Sequence, residues 1–142
     1  MTTLQTTRKQ DERSATAPQP AVRALDHSFF WGAWQNTDAD AKGIVRVVFD
    51  DNGGALKMQV FGTGDPESID WGHVEARVFA DNVDSAEGTK FSAVYDFDFM
   101  QVRMHGWVKL GVLVIAVFNH FTDHSGRSNY FDREFFFTSN PT

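Results

Sequence analysis

The 142-residue sequence contains no cysteine. This absence excludes a disulfide framework, a thiolate nucleophile and a cysteine-ligated metal site. No apolar run approaches the roughly 20 residues that a helix needs to span a bilayer, and the first residues lack the apolar segment of a secretory signal. The sequence therefore predicts a cytoplasmic location.

Basic side chains are also scarce, because 13 Lys and Arg residues stand against 19 Asp and Glu residues and the formal net charge is −6. The acidic excess lies after residue 26, where no basic stripe is present. Nucleic acids and anionic membrane surfaces are recognised through clustered positive charge. The sequence thus predicts that neither of them is a partner.

Aromatic residues are plentiful, with 14 Phe, 4 Trp and 2 Tyr. From Phe29 onward, apolar residues recur with a period of two, which is the signal of β-strands. Residues 1–26 are polar and are predicted to form a disordered N-terminal arm, and residues 27–142 are predicted to form one β domain. In an alternative interpretation, Val22 and Leu25 of the arm pack over one mouth of that domain.

Turn residues separate the period-two runs into eight strands. Asn52-Gly53, for example, tolerates the positive φ angles of a tight hairpin. Short connections favour antiparallel pairing of consecutive strands, and eight such strands can close without leaving an edge. The predicted fold class is therefore all-β, a single eight-stranded antiparallel up-and-down β-barrel. The predicted strands cover residues 30–36, 43–50, 55–62, 72–80, 90–97, 100–109, 111–121 and 129–138.

A Gly-x-Trp motif at the start, Gly32 to Trp34, and Arg133 in the last run resemble the calycin superfamily of lipocalins, fatty-acid-binding proteins and avidins. The resemblance implies that Arg133 packs over the Trp34 indole and helps to close one end of the barrel. Strand alternation places Phe131 and Phe135 on the face of Arg133, so they are expected to close that end too. A small closed barrel usually encloses one ligand cavity, which is expected towards the other end.

Three further motifs resemble a group of small bacterial lipocalin-like proteins. They are Trp-x-Asn-Thr-Asp at residues 34–38, Asp-Trp-Gly at 70–72 and Ser-Gly-Arg-Ser-x-Tyr at 125–130. This second resemblance supports the barrel fold and implies no activity.

Alternation on the third, fourth and sixth strands separates apolar from charged residues. Because an unpaired buried charge is costly, the apolar sets are predicted to line the lumen. Small side chains among them leave room for a flat or elongated apolar molecule. The main functional hypothesis is binding of a small hydrophobic or aromatic ligand, with no cofactor and no metal. The predicted ligand-binding residues are Met58, Val60, Trp71, Ala76, Val78, Met104 and Phe118.

The opposite orientation gives an alternative function, a small-molecule cyclase or isomerase. With the charged faces inward, Glu75 and His105 would transfer protons, while Arg103 and Tyr95 would hold substrate oxygens. The orientation of Glu75 and His105 distinguishes the two hypotheses.

Phe79 and Trp107 lie on the outer face if the lumen is apolar. Exposed aromatic residues of this kind usually need cover. The two residues therefore predict either a homodimer that buries them between two copies of the protein or an N-terminal arm that packs over them.

Two polar motifs have a structural interpretation beside a chemical one. Asp70 and His73 could form an acid–base pair, or Asp70 could cap the amides of a turn at Gly72. Asp123 and Arg127 are predicted to pair within a turn.

Overall fold

A computed structural model describes residues 25–138 of the chain. The predicted disordered arm, including Val22, therefore lies outside the described residues except for Leu25 and Asp26. The Asp26 amide donates to the Ala86 carbonyl at 2.8 Å, which holds this segment against the connection between the fourth and fifth strands. Within the described range, no helix is long and apolar enough to cross a membrane.

Eight antiparallel strands form one closed barrel in which each strand pairs with its neighbours in sequence. This confirms the predicted fold class and strand number. The largest difference is at the fourth strand, which begins at Ile69 instead of residue 72. After a short 3-10 helix, η1 (Ser28–Phe30), the strands are β1 (Gly32–Asn36), β2 (Ile44–Asn52), β3 (Ala55–Gly62), β4 (Ile69–Phe79), β5 (Lys90–Asp96), β6 (Met100–Lys109), β7 (Val112–Phe121) and β8 (Tyr130–Thr138).

The β2–β3 hairpin shows why the turn signals located the strands well. Gly53 and Gly54 adopt φ angles of 63° and 96°, which non-glycine residues rarely tolerate. The Asp51 carboxylate accepts a hydrogen bond from the Gly54 amide at 3.1 Å. These residues reverse the chain and fix the register of the two strands.

The interior of the barrel is apolar, as predicted, but its centre is filled. Met58, Val60 and Met104 are 0% exposed, so no water-sized space touches these side chains. The predicted ligand cavity of the apolar lumen is therefore absent around these three residues. The reason is visible at Gly106, where a Cβ atom would lie 2.3 Å from Cε2 of Phe91. The small residues that suggested free space accommodate the rings of their neighbours.

One end of the barrel, which we call the closed end, is covered by η1. The ring of Phe30 lies 5.5 Å from that of Phe49 and 5.4 Å from that of Phe91. The indole Nε1 of buried Trp34 donates a hydrogen bond of 2.8 Å to the Phe30 carbonyl. Trp34 thus closes this end by holding the short helix in place.

The predicted closure of the barrel by Arg133 is wrong. Trp34 is opposite Thr138 in the β1–β8 register, whereas exposed Arg133 is opposite Ala116 on β7. Phe131 and Phe135, expected inside, are 56% and 44% exposed. Because three consecutive phenylalanines end β8, its hydrophobic pattern does not identify the inner face; the buried one is Phe136, at 0% exposure.

Substitution of Trp34 by Phe tests this account of the closed end. W34F leaves the buried Phe30 carbonyl without its donor, and we expect the free energy of unfolding to fall by about 1–3 kcal/mol. In contrast, R133A is expected to change it by less than about 0.5 kcal/mol, because the side chain is exposed. Urea unfolding measures both values. A larger loss in R133A than in W34F would contradict the account.

Candidate functional site

The two ends of the barrel differ in how well their inward side chains are buried. At the closed end, Phe49 and Phe91 are at most 2% exposed. At the opposite end, which we call the mouth, Trp71, Phe97 and Met100 are only partly buried and pack against the core. Inward-facing side chains therefore meet solvent at the mouth.

An aromatic wall lines the mouth along β4, β5 and the connection from β5 to β6. It is formed by Trp71, Tyr95, Phe97 and Phe99. Trp71 packs edge-on against Tyr95 and Phe97, with ring centroids 5.6 and 5.5 Å apart. Phe97 in turn stacks on Phe99 at 6.1 Å, and Phe99 is 45% exposed. Gly62 makes room for the indole, since a Cβ there would lie 2.4 Å from Nε1 of Trp71. The wall offers ring faces and edges to a molecule in the mouth.

Tyr95 anchors this wall to the backbone. Its hydroxyl donates to the Gly72 carbonyl at 2.6 Å and accepts from the Val60 amide at 3.1 Å. Val60 lies in an irregularity of the β3–β4 register. The Tyr95 hydroxyl therefore accepts a hydrogen bond from an amide that has no partner in the pairing of β3 with β4. Burial raises the pKa of Tyr95 to about 12. Because the hydroxyl is already bonded to these two backbone groups, the predicted role of holding substrate oxygens is not supported.

A polar band faces the aromatic wall from the other side of the mouth, formed by Asn36, Asn119, Asp132 and Glu134. It lies on β7, β8 and β1, and in the closed strand order β8 and β1 are opposite β4 and β5. Asn36 donates from Nδ2 to Oε1 of Glu134 and to the Ile44 carbonyl, both at 2.8 Å. These bonds join β8, β1 and β2 where the barrel closes.

Glu134 is a half-buried carboxyl group within this band. Burial raises its pKa, and the negative charges of Asp132 and Asp38 raise it further. Hydrogen bonds from Asn36 and the Ile44 backbone act in the opposite direction but do not outweigh burial. The group is thus a carboxylate in a partly dry position, with no cationic partner among residues 25–138.

Asn119 is the most unusual member of the band. It is 8% exposed, and its neighbours on β7, Phe118 and His120, are both exposed on the outer face. Its side chain therefore points inward. The structure shows no hydrogen bond from its amide to any of the described residues, whereas buried polar groups almost always have a partner. An unsatisfied buried amide lowers the free energy of unfolding by about 1–3 kcal/mol. Asn119 is therefore unfavourable at this position unless a bound molecule forms hydrogen bonds with its amide.

A cleft of about 400 Å³ opens at the rim of the mouth. This volume is within the range of about 300–1,000 Å³ that is usual for small-molecule sites. Its lining combines the start of β8 with the connection between β1 and β2. The lining residues are Asn36, Thr37, Asp38, Ala41, Lys42, Gly43, Tyr130, Asp132, Arg133, Glu134 and Phe135.

The β7–β8 connection folds over the same end of the barrel. The Arg127 guanidinium lies 4.3 Å from the ring centroid of Phe121 and 5.8 Å from that of Phe99. It also contacts the Asp123 carboxylate at 2.6 Å, which confirms the predicted pair. Arg127 thus adds a cation to the aromatic surface of the mouth, and the Asp123 carboxylate neutralises its charge.

Two larger clefts lie away from the mouth. One, of about 580 Å³, is next to Leu25, His27 and Val78 near the closed end. The other, of about 500 Å³, lies between Phe79 and Trp107. Phe79 is 46% exposed and Trp107 partly buried, and the homodimer through this face stays a prediction. Neither cleft is lined by a described residue whose polar side chain is both buried and unpartnered.

The predicted ligand-binding residues divide between three places. Trp71 lies in the aromatic wall of the mouth, and Val78 is half-buried beside the 580 Å³ cleft. Phe118 is 40% exposed on the outer face, so its prediction as a lumen residue is wrong. Every position from Val112 to Phe118 is apolar, and alternation therefore gives no signal there. Ala76 is buried in the core but also lines the 580 Å³ cleft beside Val78. The remaining three belong to the packed core: Met58, Val60 and Met104.

The charged faces of β4 and β6 point outward. Glu75, Arg103 and His105 are all exposed on the outer surface. The alternative in which Glu75 and His105 act as an acid–base pair in the lumen is therefore wrong, and the cost of burying unpaired charges explains why.

Asp70 forms the predicted turn. Its carboxylate accepts from the Gly72 amide at 2.8 Å and from Nε2 of Gln59 at 2.9 Å. The same hydrogen bonds lower the pKa of Asp70. Since His73 is not among its hydrogen-bond partners, the structure supports the turn interpretation over the acid–base pair.

The polar band was not identified from the sequence. A signal for Asn119 is nevertheless present, because it follows Leu113, Ile115 and Val117 with a period of two. A polar residue in an otherwise apolar inward series is a candidate ligand contact. Asn36 and Glu134 carry no such signal, since they meet only through the closure of β8 onto β1.

Comparison with known proteins finds no protein-family model, no curated protein and no solved structure that matches this chain.

The raised pKa of Glu134 predicts a pH-dependent contribution to stability. The folded state binds the Glu134 proton more tightly than the unfolded state does, so the contribution is present at low pH. It is lost as pH rises from the ordinary value of about 4.3 through the raised pKa. We therefore expect the unfolding free energy of the wild type minus that of E134Q to decrease between pH 4 and pH 7, measured by urea unfolding.

The exposed Glu75 provides the matched control, since E75Q removes one negative charge outside the mouth. A difference between wild type and E134Q that increases with pH would show that Glu134 gains, rather than loses, stability on ionisation in the folded protein.

Proposed function

We propose that this protein is a calycin-like barrel that binds a small molecule with an aromatic or apolar part in its mouth. The fold supports a ligand-holding role, because small antiparallel barrels present their cavities at one end. The packed centre restricts this ligand to the mouth. The bacterial lipocalin-like resemblance and an intracellular place of action belong to the same proposal.

The aromatic wall supports an apolar or aromatic ligand. Trp71 and Phe97 are only partly covered by the protein, and Phe99 is 45% exposed. A flat molecule that packs against these rings removes apolar surface from water at about 25 cal/mol per Å². Small-molecule sites commonly combine such apolar walls with a few polar groups that fix orientation.

Asn119 is the observation that carries the proposal. Its amide is more than nine-tenths buried and has no partner among the described residues. A purely structural position would favour an apolar residue, since the lost hydration of the amide is not repaid within the protein. A ligand that reaches Asn119 supplies the missing hydrogen bonds, so binding relieves a cost already present in the free protein.

Substitution of Asn119 by Leu separates a ligand-binding role from a structural one. We expect N119L to raise the free energy of unfolding by about 1–2 kcal/mol, because it removes an unsatisfied buried amide at similar volume. Asn36 provides the matched control, since it is 6% exposed but fully bonded. N36L should lower the free energy of unfolding by about 1–3 kcal/mol. Loss of stability in N119L would contradict the proposal.

Binding itself can be located by 19F NMR of protein that contains 5-fluorotryptophan. The chain has four tryptophans, of which Trp71 lies in the mouth and Trp34 at the closed end. On titration with 4-phenylbutanol, a neutral aromatic probe, the Trp71 resonance should shift saturably while that of Trp34 does not. N119L should weaken this binding at least about tenfold, the equivalent of one lost hydrogen bond. A shift confined to Trp34 would place the ligand elsewhere.

A further inference from the structure

The inward side of the mouth has an uneven charge distribution. Its polar band contains two carboxylates, Asp132 and Glu134, and none of the described inward side chains of the barrel is a lysine or arginine. Lys42 and Arg133 line the rim cleft, but Lys42 is exposed on the β1–β2 connection and Arg133 is on the outer face of β8. Arg127 is already paired with Asp123.

We propose that the mouth selects an arylalkylamine, in which a short alkyl chain joins an amine to an aromatic ring, with its ammonium group on the polar band and its ring on the aromatic wall. This inference rests on the proposed function and specifies the chemical class of the ligand. Two independent observations support it. One is the pair of inward carboxylates, and the other is the buried, unpartnered amide of Asn119.

Hydrogen-bond chemistry favours an ammonium group over other head groups. An ammonium donates up to three hydrogen bonds and accepts none. The band offers the carboxylate oxygens of Asp132 and Glu134 and the amide oxygen of Asn119 as acceptors. A carboxylate or phosphate head group would instead meet two negative charges.

The charges around Glu134 point in the same direction. The charged groups that act on its carboxyl are Asp132 and Asp38, and both raise its pKa. A bound cation would compensate this repulsion, and it would do so in a partly dry position where charges interact more strongly than in water. Within the part of the chain that the structure describes, the band therefore contains both a charge without a cationic partner and an amide without a hydrogen-bond partner.

The aromatic wall complements an amine on the opposite side. Trp71 and Phe97 form the part of the wall that packs on the core, and an aromatic face attracts a cation as well as an apolar ring. The wall and the band lie on opposite sides of the barrel. A short chain between ring and ammonium group is needed to reach both.

Three probes that differ only in their head group test the inference by titration calorimetry: 4-phenylbutylamine, 4-phenylbutanol and 4-phenylbutanoate. We expect the amine to bind at least about tenfold more tightly than the alcohol, and the carboxylate to bind most weakly. Added salt should weaken binding of the amine and leave binding of the alcohol unchanged.

D132N and E134Q should each lower the affinity for 4-phenylbutylamine about three- to tenfold and leave that for 4-phenylbutanol within about twofold. E75Q removes an exposed carboxylate on the outer face and should change neither affinity. Because Asp132 is exposed, D132N gives a result even if E134Q folds poorly.

The possible outcomes separate the two proposals. If the alcohol binds as tightly as the amine to the wild type, the amine inference is wrong while the proposed function stands. If none of the three probes binds saturably, the proposed function is wrong as well. Equal loss of amine and alcohol binding in D132N would also overturn the inference, because it would indicate a change of shape instead of charge.

Discussion

The structure depends on the filling of a closed eight-stranded barrel by its own side chains. A barrel of this size has an interior just wide enough for side chains or one small ligand. Here Phe30, Phe49, Phe91 and Phe136 are all at most 2% exposed and belong to the packed core. The ring of Phe91 occupies the space beside Gly106, which is why this small residue on the inward face does not produce a cavity. Packed side chains therefore fill the interior along most of the barrel axis, where they stabilise the fold and leave no space for a ligand.

The same constraint determines where a ligand can bind. Because η1 covers one end and the centre is packed, the inward aromatic and polar side chains that reach solvent lie at the mouth, whereas the partly exposed inward side chains near the closed end, such as Val78, are aliphatic. Two of the polar groups there hold the barrel together, because Asn36 and Glu134 bond to each other where β8 closes onto β1. Buried Asn119, in contrast, has no hydrogen-bond partner among the described residues. A site of this kind fits a protein that gives up some stability in order to bind.

Much of this fold could be predicted from local patterns, and the failures have identifiable causes. Turn residues such as Asn52-Gly53 separate the strands, and alternation of apolar and charged residues assigns the faces of β3, β4 and β6. Alternation does not identify the inward face of β7 or β8, because every residue from Val112 to Phe118 and from Phe135 to Phe137 is apolar. The Gly-x-Trp motif correctly marked a closed end, but the partner of Trp34 is a backbone carbonyl instead of Arg133. This contact depends on how η1 folds back over the end of the barrel, which the period-two pattern of the strands does not encode.

The claim that a ligand occupies the mouth and not the centre is tested most directly by NMR of methionine methyl groups. Met100 lies at the mouth, whereas Met58 and Met104 are 0% exposed in the centre of the barrel. In protein labelled with 13C at the methionine methyl groups, saturating 4-phenylbutylamine should shift the Met100 resonance and leave those of Met58 and Met104 in place. A larger shift of Met58 and Met104 than of Met100 would show that the packed centre opens to admit the ligand, and would contradict this account.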